Sequence, residues 1–167
     1  TLEWIEAADF IAKEKVYIPY ALINLDSTRR IPHSEMFLAS SNGLAAGNSL
    51  AEAICHALFE LVERYATYKF GLLSIDEADK RCLILDSITC EHNRRLIDLV
   101  RKSNNRLSVW DISTREQYPT YKAEIDDPDD IRRLGGLQAL ARTHLVQWHS
   151  RAITEAAQSR LTVISGS

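Results

Sequence analysis

The segment that most constrains the fold is a long stretch with helical periodicity, residues 49–70, which follows a glycine-rich sequence at residues 40–48. At roughly 100° of rotation per residue, its polar side chains fall within an arc of about 80°. They are Ser49, Glu52, His56, Glu60 and Glu63. The opposite side of the helix carries Leu50, Ile54, Ala57, Leu58, Leu61 and Tyr65. We therefore expect the apolar side to build a core and the other side to gather acid.

Both ends of this helix carry local signals. Ser49 with Glu52 three residues later has the spacing of a capping box, and Gly71 is a typical helix stop. The glycines before the helix have two interpretations, which the sequence leaves open. Gly43 and Gly47 either close a turn, or they let adenosine or phosphate approach the helix N-terminus, whose N–H groups favour anions.

The carboxylates on the acidic side of the helix are typical of a site that binds a cation. Two carboxylates about 5 Å apart repel by roughly 3 kcal/mol at an effective dielectric constant near 20, and a divalent cation relieves this repulsion best. The alternative is a solvated helix face, in which Glu60 and Arg64 form an i,i+4 ion pair worth a few tenths of a kcal/mol. His56 lies between the acids, where an orienting or hydrogen-bonded role is preferred to that of a base.

Composition limits the class of protein. A chain of 167 residues that is 46% hydrophobic suits one ordinary domain. The 20 basic and 23 acidic residues are mixed along the chain, which argues against nucleic acid or an anionic membrane as a partner. No apolar run approaches a membrane span and no signal pattern begins the chain, so a cytoplasmic location is expected. The three cysteines lack a C-x-x-C spacing, so we expect buried or incidental thiols rather than disulfides or a zinc site.

The predicted elements follow one another in the order strand, helix, strand, helix, strands, helix. Strand-like segments are predicted at 15–25, 82–88, 107–112 and 120–125. Helical periodicity is present at 91–103, and a solvated loop is predicted at 126–130. A final long helix is predicted to open at Gly135-Gly136 and to end near Leu161.

Two segments of the chain resemble the nucleotide-site signatures of the YcaO-domain family. The first is residues 41–47 (SNGLAAG) followed by 52–64 (EAICHALFELVER), and the second is residues 151–160 (RAITEAAQSR). The connecting stretch, with residues 109–112 and a strand containing Tyr118-Pro119, also fits the family. The resemblance implies a single YcaO-like domain over residues 1–167, truncated at both ends. It also implies an α+β fold, with mixed sheets packed against long helices and without a P-loop, and the chain has no G-x-x-x-x-G-K-[ST].

The resemblance implies ATP and Mg²⁺ as cofactors. Enzymes of this family phosphorylate a peptide backbone amide, which leads to an azoline, a thioamide or an amidine. The implied metal ligands are Glu60, Glu63, Glu155 and Gln158, although a structural polar network is the alternative for the last two. Arg64 and Arg160 match basic positions beside the site, and together with Gly43, Gly47 and Ser49 they are the predicted nucleotide contacts. No catalytic residue is assigned.

Several contacts of the family have no counterpart in this chain. They are a lysine and a serine near the N-terminus and an arginine toward the C-terminus, so residues 1–167 alone are expected not to turn over a peptide. An inactive scaffold or substrate-presenting protein is therefore the alternative function, and a regulatory nucleotide sensor is a third. The implied partners are a peptide or protein substrate, a TfuA-like protein for thioamidation or a leader-binding protein for azoline formation in RiPP biosynthesis, and a second copy in a homodimer.

Overall fold

A computed structural model describes residues 2–26, 28, 36–114, 118–126, 138–141 and 148–165. The chain divides into two compact units, residues 1–57 and 58–167. Helices and separate antiparallel sheets confirm the predicted α+β class. The single-domain organisation stays a prediction.

The first unit contains a β-hairpin. Strands β1 (Trp4–Asp9) and β2 (Glu14–Pro19) are antiparallel, with Asp9 opposite Glu14. The Asp9 carboxylate closes the turn by accepting hydrogen bonds from the N–H groups of Ile11 and Ala12 at 2.8 and 2.9 Å. The strand predicted at 15–25 is shorter than expected because Pro19 ends it and a 3-10 turn, Tyr20–Leu22, follows. Strand β1 was not predicted.

Helix α1 spans Leu50–Gly71, with the predicted ends, and crosses the division between the units. A short helix, α2 (Ile75–Asp79), follows behind a capping box formed by Ser74 and Glu77. Hydrogen bonds donated by the Ser74 hydroxyl and then by its N–H hold the pKa of the Glu77 carboxyl below its ordinary value.

The second unit is built on a three-stranded antiparallel sheet. Strands β3 (Arg106–Asp111), β4 (Tyr121–Asp126) and β5 (Gln138–Ala141) lie in that order, and helices α3 (Glu91–Lys102) and α4 (Trp148–Ser165) contact the sheet. Alternate residues of the strands point into the core, as the period of two requires. The core consists of Ile97, Leu107, Val109, Tyr121, Ala123, Ile125, Ala152, Ile153 and Ala156. Burial, and next the nearby Asp111 carboxylate, raise the pKa of Tyr121 in this core.

The second-unit part of α1 contacts residues outside this core. Phe59 lies edge-on to Tyr118, with ring centroids 6.4 Å apart. Phe70 lies 6.3 Å from Trp110, which follows the buried Val109 and therefore faces the other side of the sheet. The contact of Phe70 with Trp110 thus joins this half of the helix to the face of the sheet opposite the core.

The final helix is a correction. A helix that starts at Gly135 is wrong, because residues 138–141 pair with β4 as strand β5 and α4 begins at Trp148. Residues 135–137 and the loop predicted at 127–130 lie outside the described residues. The segment predicted as extended at 82–88 contributes one bridge, from Cys82 to Trp110, and then a 3-10 turn at Leu85–Ser87.

The cysteines form no disulfide among themselves, but they are not buried. Cys55, Cys82 and Cys90 are free thiols, as expected, but all three are exposed rather than buried. Among the described residues, no helix combines the length and apolar character that crossing a membrane requires.

Candidate functional site

The glycine-rich segment packs tightly against the first turn of α1. A Cβ atom at Gly47 would lie 2.6 Å from the backbone nitrogen of Ala53 and 2.9 Å from the Cβ of Glu52, closer than any side chain tolerates. Gly43 has a φ of 74°, in the left-handed region that glycine adopts without strain. Of the two interpretations of these glycines, turn closure therefore has a direct steric basis. Their role as nucleotide contacts stays a prediction.

The start of α1 is held by three side chains. The Ser49 hydroxyl accepts a hydrogen bond from the N–H of Glu52 at 3.2 Å, as an N-cap does. The Glu52 carboxylate accepts from the N–H of Asn48 at 2.8 Å, one residue before the position that a capping box would use. His56 Nδ1 lies 3.1 Å from the carbonyl oxygen of Ala46, to which it donates in the tautomer protonated there. This contact agrees with an orienting role for His56.

Glu60 and Glu63 are both buried in the second unit, at 6% and 9% exposure. Arg64 donates from Nε and Nη2 to the same oxygen of Glu60, Oε1, at 3.2 and 2.9 Å. The guanidinium itself is about half exposed, with 47% of its side chain accessible. Buried carboxylates normally require a compensating cation or hydrogen bonds, and Arg64 supplies one cation from the surface side.

The two sides of α1 are reversed relative to the sequence prediction. Glu60 and Glu63 of the acidic side are buried together with Ala66, whereas four residues of the apolar side are exposed. The exposed fractions are 69% for Leu50, 56% for Leu58, 46% for Leu61 and 48% for Tyr65. The expectation that these residues build a core is wrong. The physical reason is that Phe59 and Phe70 lie on the acidic side and contact Tyr118 and Trp110.

The second group of predicted residues lies on α4. The core side of α4 consists of Ala152, Ile153 and Ala156. Glu155 is partly buried and Gln158, three residues later, is exposed. Arg160 is partly buried. The side chain of Arg151, which begins the second signature, lies outside the described residues.

One kind of metal site is absent from the part of the chain that the structure describes. No group of three or more His, Cys, Asp or Glu side chains there is arranged to hold a metal ion. The assignment of Glu60, Glu63, Glu155 and Gln158 as ligands stays a prediction. The donor chemistry of the buried pair on α1 nevertheless fits Mg²⁺, because proteins commonly bind Mg-nucleotide through one or two carboxylates, with phosphate oxygens and water as the other ligands.

Sequence reasoning missed one charged residue of this region, Lys122. It lies in β4 and is 9% exposed, with its Nζ atom 2.8 Å from Glu124 Oε1 and close to the rings of Phe70 and Trp110. The available signal was the alternation of Tyr121, Ala123 and Ile125 with Lys122 and Glu124. Such alternation normally indicates a solvent-exposed polar face, so it did not predict a buried lysine.

Comparison with protein families gives one match over the entire chain. The model of the YcaO cyclodehydratase family, described as ATP- and Mg²⁺-binding, matches residues 1–167. This description agrees with the cofactors expected from the two signatures.

The similar curated proteins are uncharacterized and longer. One, from the tfuA 3′ region of Rhizobium leguminosarum bv. trifolii, is 34% identical over 182 residues, which cover 99% of this chain and 40% of the relative. One from Mycobacterium tuberculosis (strain H37Rv) is 28% identical, covering 99% of this chain and 36% of the relative. One from Methanothermobacter thermautotrophicus is 29% identical, covering 99% and 43%. The chain thus spans roughly two fifths of these relatives.

Three similar solved structures confirm the predicted fold. A heterocyclase in complex with substrate and cofactor has a TM-score of 0.74 at 24% identity, covering 94% of this chain and 20% of the other. The heterocyclase TruD has a TM-score of 0.69 at 24% identity, covering 96% and 23%. YcaO from Methanopyrus kandleri bound with AMPPCP and Mg²⁺ has a TM-score of 0.70 at 19% identity, covering 98% and 42%.

Proposed function

Because the chain belongs to the YcaO family, whose model matches residues 1–167, we propose that it binds Mg-ATP and takes part in O-phosphorylation of a peptide backbone amide. The observation that carries this proposal is the pair of buried carboxylates on α1, Glu60 and Glu63, beside Arg64. Burying two carboxylates costs free energy unless cations or hydrogen bonds compensate their charge. A bound divalent cation is the compensation that their chemistry favours.

The proposed roles follow from charge and placement. Glu60 and Glu63 would hold Mg²⁺, with Glu155 and Gln158 of α4 as further oxygen ligands. Arg64 compensates the charge of Glu60, since two of its N–H donors act on one oxygen of that carboxylate. Arg160 would meet phosphate charge. When bound, Mg²⁺ supplies neutralisation of the phosphate oxygens during transfer.

The reaction that the family resemblance implies has three steps. A nucleophile adds to the amide carbonyl carbon, the resulting oxyanion accepts the γ-phosphoryl group with release of ADP, and inorganic phosphate leaves as the C–O bond breaks. A Cys, Ser or Thr nucleophile gives an azoline, sulfide a thioamide and an amine an amidine. The Rhizobium relative from a tfuA region supports thioamidation with a TfuA-like partner as one version of the proposal. A leader-binding partner, a homodimer and a cytoplasmic location belong to the same proposal.

A second candidate, a scaffold that presents substrate without turnover, is favoured by one observation. No group of three His, Cys, Asp or Glu side chains that could hold a metal is present within the described ranges. In a scaffold, the buried acids of α1 would be structural remnants of a metal site. The two candidates differ in whether Mg²⁺ and ATP bind together.

Calorimetry with Mg-ATP distinguishes them. We expect Glu63→Gln and Glu155→Gln each to weaken binding at least about tenfold, equivalent to about 1.4 kcal/mol, because each removes one anionic ligand at almost constant volume. Glu91→Gln is the matched control, since Glu91 is an exposed acid in the first turn of α3. Parent-like affinity in both test variants would contradict the metal-ligand assignment, and absence of binding by the parent would favour the scaffold.

A further inference from the structure

Lys122 is a buried cation that the proposed reaction does not use. Its side chain is 11% exposed, although a lysine has a long flexible stem that normally carries its ammonium group to water. Instead, Nζ lies 5.3 Å from the ring centroid of Phe70 and 5.4 Å from that of Trp110. The Glu124 carboxylate lies 2.8 Å from Nζ and 18% of its side chain is exposed.

These contacts compensate a charge that would otherwise be costly to bury. Lys122 and Glu124 are two residues apart on β4 and therefore share a face of the sheet. Trp110 lies on β3 directly opposite Lys122. In the cluster of Lys122, Glu124, Trp110 and Phe70, only Phe70 comes from α1. Cation–π attraction is directional, since the ammonium must lie near the ring, so the cluster favours one placement of Phe70 on the sheet.

The placement of Phe70 determines which way the acids point. Phe70 follows Glu63 by seven residues, about two helical turns or roughly 10 Å along the axis, and returns to nearly the same side of the helix. Ala66, between them, is fully buried at 0% exposure. Because the helix is stiff over two turns, a rotation of α1 at Phe70 would also rotate Glu63 and Glu60.

We propose that Lys122 is a positioning residue, which holds Phe70 beside its ammonium group and Trp110 and so sets the rotation of α1 at Glu60 and Glu63. Its effect on metal binding rests on the proposed function, whereas its effect on α1 does not. The sheet thereby fixes the direction of two carboxylates on α1.

The test compares three variants of the same chain. Lys122→Met keeps the length of the side chain and removes its charge, and Lys122→Arg keeps the charge. Lys69→Met is the matched control, because Lys69 is also a lysine over an aromatic ring, 6.0 Å from Tyr65, but on the exposed side of α1. Hydrogen exchange of the amides of residues 60–70 reports the placement of the helix without ligand. The Mg²⁺ concentration that gives half-maximal ATP binding reports the carboxylates.

We expect Lys122→Met to accelerate exchange in residues 60–70 and to raise the Mg²⁺ midpoint, each about tenfold. Lys122→Arg should keep the exchange rate and the Mg²⁺ midpoint near those of the parent. Lys69→Met should match the parent in both quantities. Parent-like exchange in Lys122→Met would overturn the proposal, as would faster exchange with an unchanged Mg²⁺ midpoint. If the parent binds no Mg-ATP, the proposed function fails, and exchange still decides whether Lys122 positions α1.

Discussion

At Gly47, one methyl group is enough to conflict with the start of α1. Its Cβ would lie 2.6 Å from the backbone nitrogen of Ala53, which cannot move without breaking the first turn. We expect Gly47→Ala to lower the free energy of unfolding by about 1–3 kcal/mol, as overpacking does. Denaturant unfolding measures this change.

Gly71 is the matched control for this substitution. Nothing lies within 4 Å of the Cβ that alanine would add there. Gly71→Ala should therefore be neutral, or raise stability by up to about 1 kcal/mol, because alanine narrows the unfolded ensemble. Equal effects at both positions would mean that the close approach at Gly47 does not constrain the protein in solution.

Individual residues could be predicted from the sequence where the determinant is local. Ser49 caps the helix, because its hydroxyl accepts a hydrogen bond from the N–H of Glu52 three residues later, and the helix ends at Gly71 as predicted. Lys122 could not be predicted, because its burial depends on Phe70, which is 52 residues earlier in the chain. A polar residue in a strand indicates a solvent-facing side unless another element covers that side.

At the scale of the helix, the same distinction explains why the ends of α1 were predicted and its sides were not. Periodicity correctly separated two sides, and the side with more aliphatic residues was assigned to the core. Phe59 and Phe70 lie on the acidic side, and aromatic contacts with Tyr118 and Trp110 hold that side against the protein. Counting apolar residues therefore gave the wrong side, whereas the positions of the two phenylalanines indicate the correct one.

The reversal of the two sides predicts how leucines on the exposed side respond to substitution. Their side chains are 56% exposed at Leu58 and 46% exposed at Leu61. Leu58→Ser and Leu61→Ser should therefore each change the free energy of unfolding by no more than about 0.5 kcal/mol. Phe70→Ala should cost about 2 kcal/mol or more, because it removes the contacts with Trp110 and Lys122. Thermal and denaturant unfolding measure both, and a large loss at Leu58 or Leu61 would mean that another surface covers them in solution.

Strand β5 shows a different limit of prediction from sequence. Gln138, Ala139, Leu140 and Ala141 have helical preferences, and the glycines before them are typical of a helix start. Pairing of Ala139 with Ala123 of β4 overrides these preferences. Ala123 itself is fully buried, at 0% exposure, in the core that includes residues of α4.

For the whole molecule, the family was predictable because both signatures lie within this chain, in the order that the family has. The arrangement of their side chains was not, since Glu60 and Glu63 lie on α1 and Glu155 lies on α4, 92 residues after Glu63. The chain spans 36–43% of the curated relatives described above. The decisive measurement is therefore the change in the free energy of unfolding on adding Mg-ATP, because it tests binding without requiring the activity of a longer protein.

If only the folded chain binds Mg-ATP, ligand at 100 times its dissociation constant should add about 2.7 kcal/mol to the free energy of unfolding. For a chain of this size, that corresponds to a rise in melting temperature of about 5–10 °C. Should residues 1–57 and 58–167 unfold in separate transitions, the rise should appear in the transition of residues 58–167, which include Glu60 and Glu63. Mg²⁺ alone and ATP with a chelator should each give a smaller rise, because a cation held by two carboxylates needs phosphate oxygens to complete its shell. An equal rise with chelated ATP would place the affinity in the nucleotide rather than in the acids of α1, and no rise with saturating Mg-ATP would contradict the binding site itself.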